Sequence, residues 1–167
     1  MKFSNEEIIQ FLQSKTGSEV LFEVDRYNVI QAEIPVHQLY KTMNLLFKDL
    51  EFKISNLIDL CGIHYPENKG KELGVVYHLQ SLQYKILLRL KVFVPIEKPD
   101  VPSITGIYAA ANWMERETYD FYGINFLGHP DLRRILNMDE MVDFPMRKEF
   151  PLEDPFREDK ADFHFGR

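Results

Sequence analysis

Two alternating runs, LGVVYHLQSL at 73–82 and YKILLRLKVFV at 84–94, constrain this chain more than any other feature. Successive side chains of a strand point to opposite faces, so apolar residues two apart mark a strand with one buried side. Val75, Tyr77 and Leu79 share a face of the first run; Ile86, Leu88, Leu90 and Val92 share a face of the second. A sheet of this kind needs another layer over its apolar face. Residues 54–65 (ISNLIDLCGIHY) add a third strand-like run, joined to the first by the polar turn PENKGKE.

The amino-terminal part supplies that layer. Ser4 is placed to cap a helix and Glu7 to return the capping-box contact; Ile8, Phe11 and Leu12 follow at helical spacing, and Gly17 ends the pattern. EVLFEVD (19–25) and NVIQAEI (28–34) alternate as strands around the short connection Arg26-Tyr27. A second helix starts at Pro35, a favoured first-turn residue, and runs through Leu39, Met43, Leu46, Phe47 and Leu50. The order α-β-β-α-β-β-β predicts an α+β two-layer sandwich with a mixed sheet, rather than a doubly wound α/β fold. Pro95, Pro99 and Pro102 then mark a break, and a third helix is expected over 108–122, ended by Gly123. The expected organisation is one α+β domain over 1–136, including a helix–loop at 109–136, and an extended partner-binding segment over 137–167.

Composition narrows the function. The 167 residues are 45% hydrophobic and carry a net charge of -6, so the bulk field repels a phosphate backbone and nucleic acid is not an expected partner. Glu6 and Glu7 interrupt the segment that a secretory signal would need apolar. The longest apolar run, 86–96, is broken by Arg89 and Lys91 and is shorter than the roughly 20 residues of a spanning helix. Membrane association is therefore expected through other chains. The one cysteine, Cys61, excludes an internal disulfide and reads as a small buried thiol.

Chemistry-bearing residues concentrate at 115–136, ERETYDFYGINFLGHPDLRRIL. Glu115, Glu117 and Asp120 on a helix invite an acid/base reading. Glu117 lies on the stripe of Trp113 and Phe121, which predicts a partly buried carboxylate; Arg133 and Arg134 follow as counter-ions, and Arg116 can pair with Asp120 at i,i+4. A structural ion-pair cluster accounts for these residues without a substrate; the rival is a small acid/base site of Glu117, Asp120 and His129. Gly123 and Gly128 flank INFL but form no phosphate-binding pattern, and His129 before Pro130 fits a turn residue bonded to nearby backbone. His37, His64, His78, His129 and His164 have no metal-ligand spacing. No catalytic, cofactor-binding or metal residue is expected in this chain.

The carboxyl-terminal part is too aromatic for a plain disordered tail. Phe144, Phe150 and Phe156 recur every six residues beside prolines, with Phe163, Phe165, Met138, Met141 and Met146 nearby. A proline-stiffened strip loses less entropy on docking, and each fully buried Phe is worth ~2 kcal/mol. Docking on the chain's own domain and on a partner both satisfy this; the enrichment in aromatics, Met and Arg favours a partner. A cut near Phe144 is then expected to leave a folded domain.

The run at 115–136, continued by PMRKEFP at 145–151, resembles the signature of the C-subunit family of NADH:quinone oxidoreductase, respiratory complex I. Phe121-Tyr122 stands where that family often has an aliphatic–Phe pair, and Asn137-Met138 varies a position usually polar, two mild departures. The resemblance implies a cofactor-free member of the peripheral arm, on the cytoplasmic side of the inner membrane. It would pack on the large quinone-module protein of the complex (the D-subunit), near the B-subunit and the other arm proteins. Flavin mononucleotide and iron–sulfur clusters would be held by neighbours. Arg147, Phe150 and Phe156 would belong to the segment lying on the large quinone-module partner. Equivalent scaffolds in membrane-bound hydrogenases or ferredoxin-linked complexes are the alternative.

Overall fold

The computed structural model describes residues 3–17 and 19–150. Helix α1 (Asn5–Thr16) begins at the expected capping box: Ser4 Oγ accepts from Glu7 N at 3.2 Å, and Glu7 Oε2 accepts from Ser4 N at 2.7 Å. Gly17 ends it with φ +86°, a conformation that costs a side chain with a Cβ. Strands β1 (Phe22–Val24) and β2 (Ile30–Glu33) follow, shorter than their alternation predicted. Asp25 shortens them, because its Oδ1 accepts from Tyr27 N and Val29 N and turns the chain before the ladder can extend.

Helix α2 (Val36–Lys48) starts one residue after Pro35 and buries Leu39, Thr42, Met43 and Leu46. Leu50, expected on this stripe, lies beyond the helix and is exposed. Strands β3 (Asn56–His64), β4 (Leu73–Ser81) and β5 (Ile86–Val94) then complete a five-stranded mixed sheet of order β1-β2-β5-β4-β3. The β2–β5 pair is parallel and the others antiparallel.

Register explains the burial. Ile30, Leu88, Leu79 and Leu57 form one row across the sheet, and Ala32, Leu90, Tyr77 and Leu60 the next. Both rows belong to a single core cluster with Ile8 and Leu12 of α1 and Leu39, Met43 and Leu46 of α2. Burying a side chain of this kind contributes about 1.5–3 kcal/mol, so the apolar face is the main stabilising element. The α+β two-layer sandwich is therefore the fold, with one addition. Strand β6 (Asp100–Pro102), helix α3 (Ala111–Tyr122) and strand β7 (Asn125–Leu127) form a parallel β-α-β unit beside β3. Its strands escaped the sequence reading because each has three residues, and because prolines and glycines surround them.

Position 62 lets α3 approach the sheet. A Cβ there would overlap the Tyr122 ring, so only glycine admits the helix at that distance. A bulge between Leu57 and Asp59 shifts the outer strand, and Cys61 ends up exposed rather than buried. Alternation places Leu60 and Gly62 inward, which turns the intervening thiol outward.

Candidate functional site

Helix α3 buries a polar face: Ala111, Glu115, Arg116, Thr118 and Asp120. The expected stripe of Trp113, Glu117 and Phe121 is its outward side, with Trp113 64% exposed and Glu117 also exposed. The apolar pattern misled because this helix faces the backbone of its neighbouring loops on its polar side. Backbone N–H and C=O groups demand charged or hydrogen-bonding partners.

Asp120 is the centre. Its Oδ2 accepts from the backbone N–H groups of Ile135, Leu136 and Asn137 at 3.0, 2.8 and 3.0 Å. Its Oδ1 accepts from Arg134 at 2.8 Å and from Asn137 Nδ2 at 3.0 Å. Burial alone would raise this carboxyl's pKa, but the hydrogen bonds from Asn137, Leu136 and Arg134 overcome it and hold it well below the ordinary carboxylate range. Arg134 also donates to the Met141 and Asp143 carbonyls at 2.7 and 3.0 Å, and so ties the following loop to the helix.

Arg116 does not pair with Asp120. Its guanidinium donates to the carbonyls of Arg133 and Arg134 at 3.1 and 3.3 Å, and lies over the Trp113 ring. Arg133 joins the cluster only through that carbonyl; its side chain is exposed and pairs with Asp131 at 3.0 Å. Two adjacent arginines thus have opposite fates, because backbone neighbours in an extended loop point apart.

Glu115 is fully buried. One oxygen accepts from Ile104 N at 2.8 Å, while Oε2 has no partner, as is also true of the buried Tyr77 hydroxyl. Burial raises the Glu115 carboxyl to about 7, against the Ile104 N–H bond and the nearby Ser103 hydroxyl, which favour its anion. His129 accepts from Asp131 N at Nδ1 (3.0 Å), so its Nε2–H donates to the Asn112 carbonyl at 3.1 Å. The ring joins the loop to the start of α3. Gly128 takes φ +84° just before it, and Pro130 is exposed.

Residues 137–150 lie on the domain. The Phe144 ring sits against Gly123, with the Arg134 and Arg147 guanidiniums 5.1 and 4.6 Å from its centroid. Arg147 Nε donates to the Tyr122 carbonyl at 2.8 Å, and Lys148 N donates to His64 Nδ1 at 3.0 Å. Phe150 is 37% exposed. Phe156, with Pro151, Pro155, Phe163, Phe165 and His164, lies outside the described residues.

Asn137, Phe144 and His64 were not foreseen as site residues. The six-residue aromatic spacing pointed to Phe144; Asn137 stood out only as part of a departure from the family pattern, and nothing in the sequence marks His64. Chemically, the Asp120 cluster is saturated: its oxygens are occupied by donors from this chain, leaving none to take a proton from a substrate. Among the described residues, no three His, Cys, Asp or Glu side chains converge to hold a metal ion.

This helix–loop falls inside residues 32–156, which match the family described as "Respiratory-chain NADH dehydrogenase, 30 Kd subunit". The chain is 39% identical over 145 residues to the C-subunit of the NADH-quinone oxidoreductase of Mesorhizobium japonicum, covering 84% of this chain and 71% of that protein. It is 47% identical over 136 residues to the corresponding protein of Methylobacterium radiotolerans, covering 81% of this chain and 62% of that one. Among solved structures, a trypsin-resistant fragment of Nqo5 superposes with a TM-score of 0.64 at 30% identity, over 76% of this chain and 98% of the fragment. A chain of an archaeal membrane-bound sulfane sulfur reductase shares the fold, with a TM-score of 0.76 at 24% identity over 93% of this chain and 96% of that one.

Proposed function

The chain belongs to the 30 kDa family of respiratory-chain NADH dehydrogenases, that of the NADH-quinone oxidoreductase C-subunit, and we propose that it serves there as a scaffold with no redox step of its own. In this reading it sits in the peripheral arm on the cytoplasmic side of the membrane and docks on the large quinone-module partner, with the B-subunit nearby. Flavin mononucleotide and iron–sulfur clusters belong to neighbouring proteins of the complex. Among the described residues no helix is long and apolar enough to cross a membrane, so attachment is assigned to those neighbours.

One observation carries the reading. Arg116, Asp120 and Arg134 of the 115–136 segment are used up on the chain's own backbone, while large apolar side chains on the same helix and loop face outward. Trp113, Leu136, Met138 and Val142 are all exposed, Val142 at 85%. Exposed apolar groups around a rigid polar lock suit an interface better than a reaction centre.

The test is truncation. Phe144 is built into the domain through Gly123, Arg134 and Arg147, so the cut belongs after Phe150 rather than near Phe144. The 1–150 chain is expected to keep native far-ultraviolet circular dichroism and to lose co-purification with the large quinone-module partner. Retained co-purification would remove the docking role from residues 151–167. A second reading is an equivalent scaffold in a hydrogenase-type or ferredoxin-linked complex, since the same fold occurs in a chain of a different respiratory membrane complex. The identity of the large protein recovered with this chain from solubilised membranes decides between them.

A further inference from the structure

A cleft of about 210 Å³ separates the outer strand β3 from helix α3, lined by Asp59, Cys61, Glu117, Phe121, Tyr122 and Met146. None of these side chains takes part in the Asp120 cluster. The Glu117 side chain has no hydrogen-bond or ion-pair partner among the described residues. Asp59 Oδ2 lies 3.5 Å from His78 Nδ1, and the other nitrogen of that ring accepts from Arg89 Nε at 2.8 Å. An imidazole that accepts at Nε2 is neutral, so it orients Asp59 without cancelling its charge. Arg89 itself is paired with Asp25 at 2.9 Å. Partial burial raises the Cys61 thiol, and Asp59 and Glu117 raise it further against a weaker opposing pull from Arg89, so both carboxylates act on the cleft that the thiol lines.

We propose that this cleft receives one arginine side chain of a partner protein in the complex, its guanidinium paired with Glu117 and Asp59 and stacked on the wall of Phe121 and Tyr122. The proposal rests on the docking role above and names the chemistry of one contact within it. Size argues for a side chain: small-molecule sites run to roughly 300–1,000 Å³. Charge argues for a cation, since two carboxylates face the space and no lysine or arginine lines it. The aromatic walls argue for arginine over lysine, because a planar guanidinium stacks on rings and offers a fork of donors to carboxylates.

Cys61 is a built-in reporter, since it lines the cleft and is exposed in the free chain. Maleimide labelling of Cys61, read by mass spectrometry of its peptide, is compared between the assembled complex and the free full-length chain. We expect labelling slower by about tenfold or more in the complex, and a return toward the free-chain rate when Glu117→Gln and Asp59→Asn are combined. Equal labelling in complex and free chain would overturn the cleft contact while leaving the docking role intact. Protection that survives the double substitution would overturn the cationic occupant. Protection already present in the free full-length chain, and lost in 1–150, would make the occupant the chain's own carboxyl-terminal segment and equally overturn the proposal. Absence of the chain from the purified complex would defeat the docking role itself.

Discussion

Asp120 and Glu115 stand five residues apart on one helix, are equally hidden from solvent, and are pushed in opposite directions by their surroundings. Asp120 meets three backbone N–H groups, an amide and a guanidinium; Glu115 meets one backbone N–H and has an unbonded second oxygen. Asp120→Asn removes the charge opposite the buried Arg134 guanidinium, and uncompensated buried charge costs roughly 3–5 kcal/mol. A loss of that size is expected in denaturant unfolding at neutral pH. The loss should shrink as pH falls below the ordinary aspartate value of 3.8, because the unfolded chain then takes up a proton at this position that the folded carboxylate, held well below that value, still refuses. Glu115 has the reverse sign. The folded chain keeps a proton that the unfolded chain releases between 4.5 and about 7, so stability falls as pH rises through that window, by at most roughly 3 kcal/mol. Glu115→Gln should flatten this slope when unfolding free energy is measured from about pH 5 to pH 8. An unchanged slope would assign the pH dependence to other groups.

At the scale of elements, the end of α3 depends on Gly123 twice. Its φ of +72° is left-handed, and an added Cβ would lie 2.5 Å from the Phe144 ring. Gly123→Ala therefore strains the helix end, at about 1–2 kcal/mol, and also pushes away the ring that the Arg134 and Arg147 guanidiniums flank. The expected outcome is faster hydrogen exchange at the Met146 and Arg147 amides, which bond to the Phe121 and Phe144 carbonyls. In a Phe144→Ala background the same substitution should cost only the backbone strain, and the double-mutant cycle measures the difference. Elements with apolar period were legible from the chain alone: the Ser4–Glu7 cap, the alternation of β4 and β5, and Leu39, Met43 and Leu46 of the α2 stripe stand where read, whereas Phe47 and Leu50, read on the same stripe, are exposed. The pair β6 and β7 was not, since three residues give no period to detect. The buried face of α3 was misread for a different reason. Its partner is loop backbone, and a pattern search that seeks apolar residues selects the opposite side.

For the whole molecule, local sequence sets the sandwich and its register. Burial of alternate side chains brings rows such as Ala32, Leu90, Tyr77 and Leu60 together, and a one-residue slip would turn a whole strand's apolar set to the other face. The identity of the charged segment was equally plain in its residue types, and the resemblance that it carried agrees with the family found by comparison. What the chain alone left open was who binds whom: that Arg116 holds carbonyls rather than Asp120, that Arg133 turns outward while Arg134 turns in, that Cys61 lines an open cleft with Asp59 and Glu117. Those assignments depend on distances between segments remote in sequence, and on which backbone groups the folded chain leaves without partners. Periodicity records how one element meets a core; only the assembled layers determine which unpaired N–H or carbonyl each charge must answer.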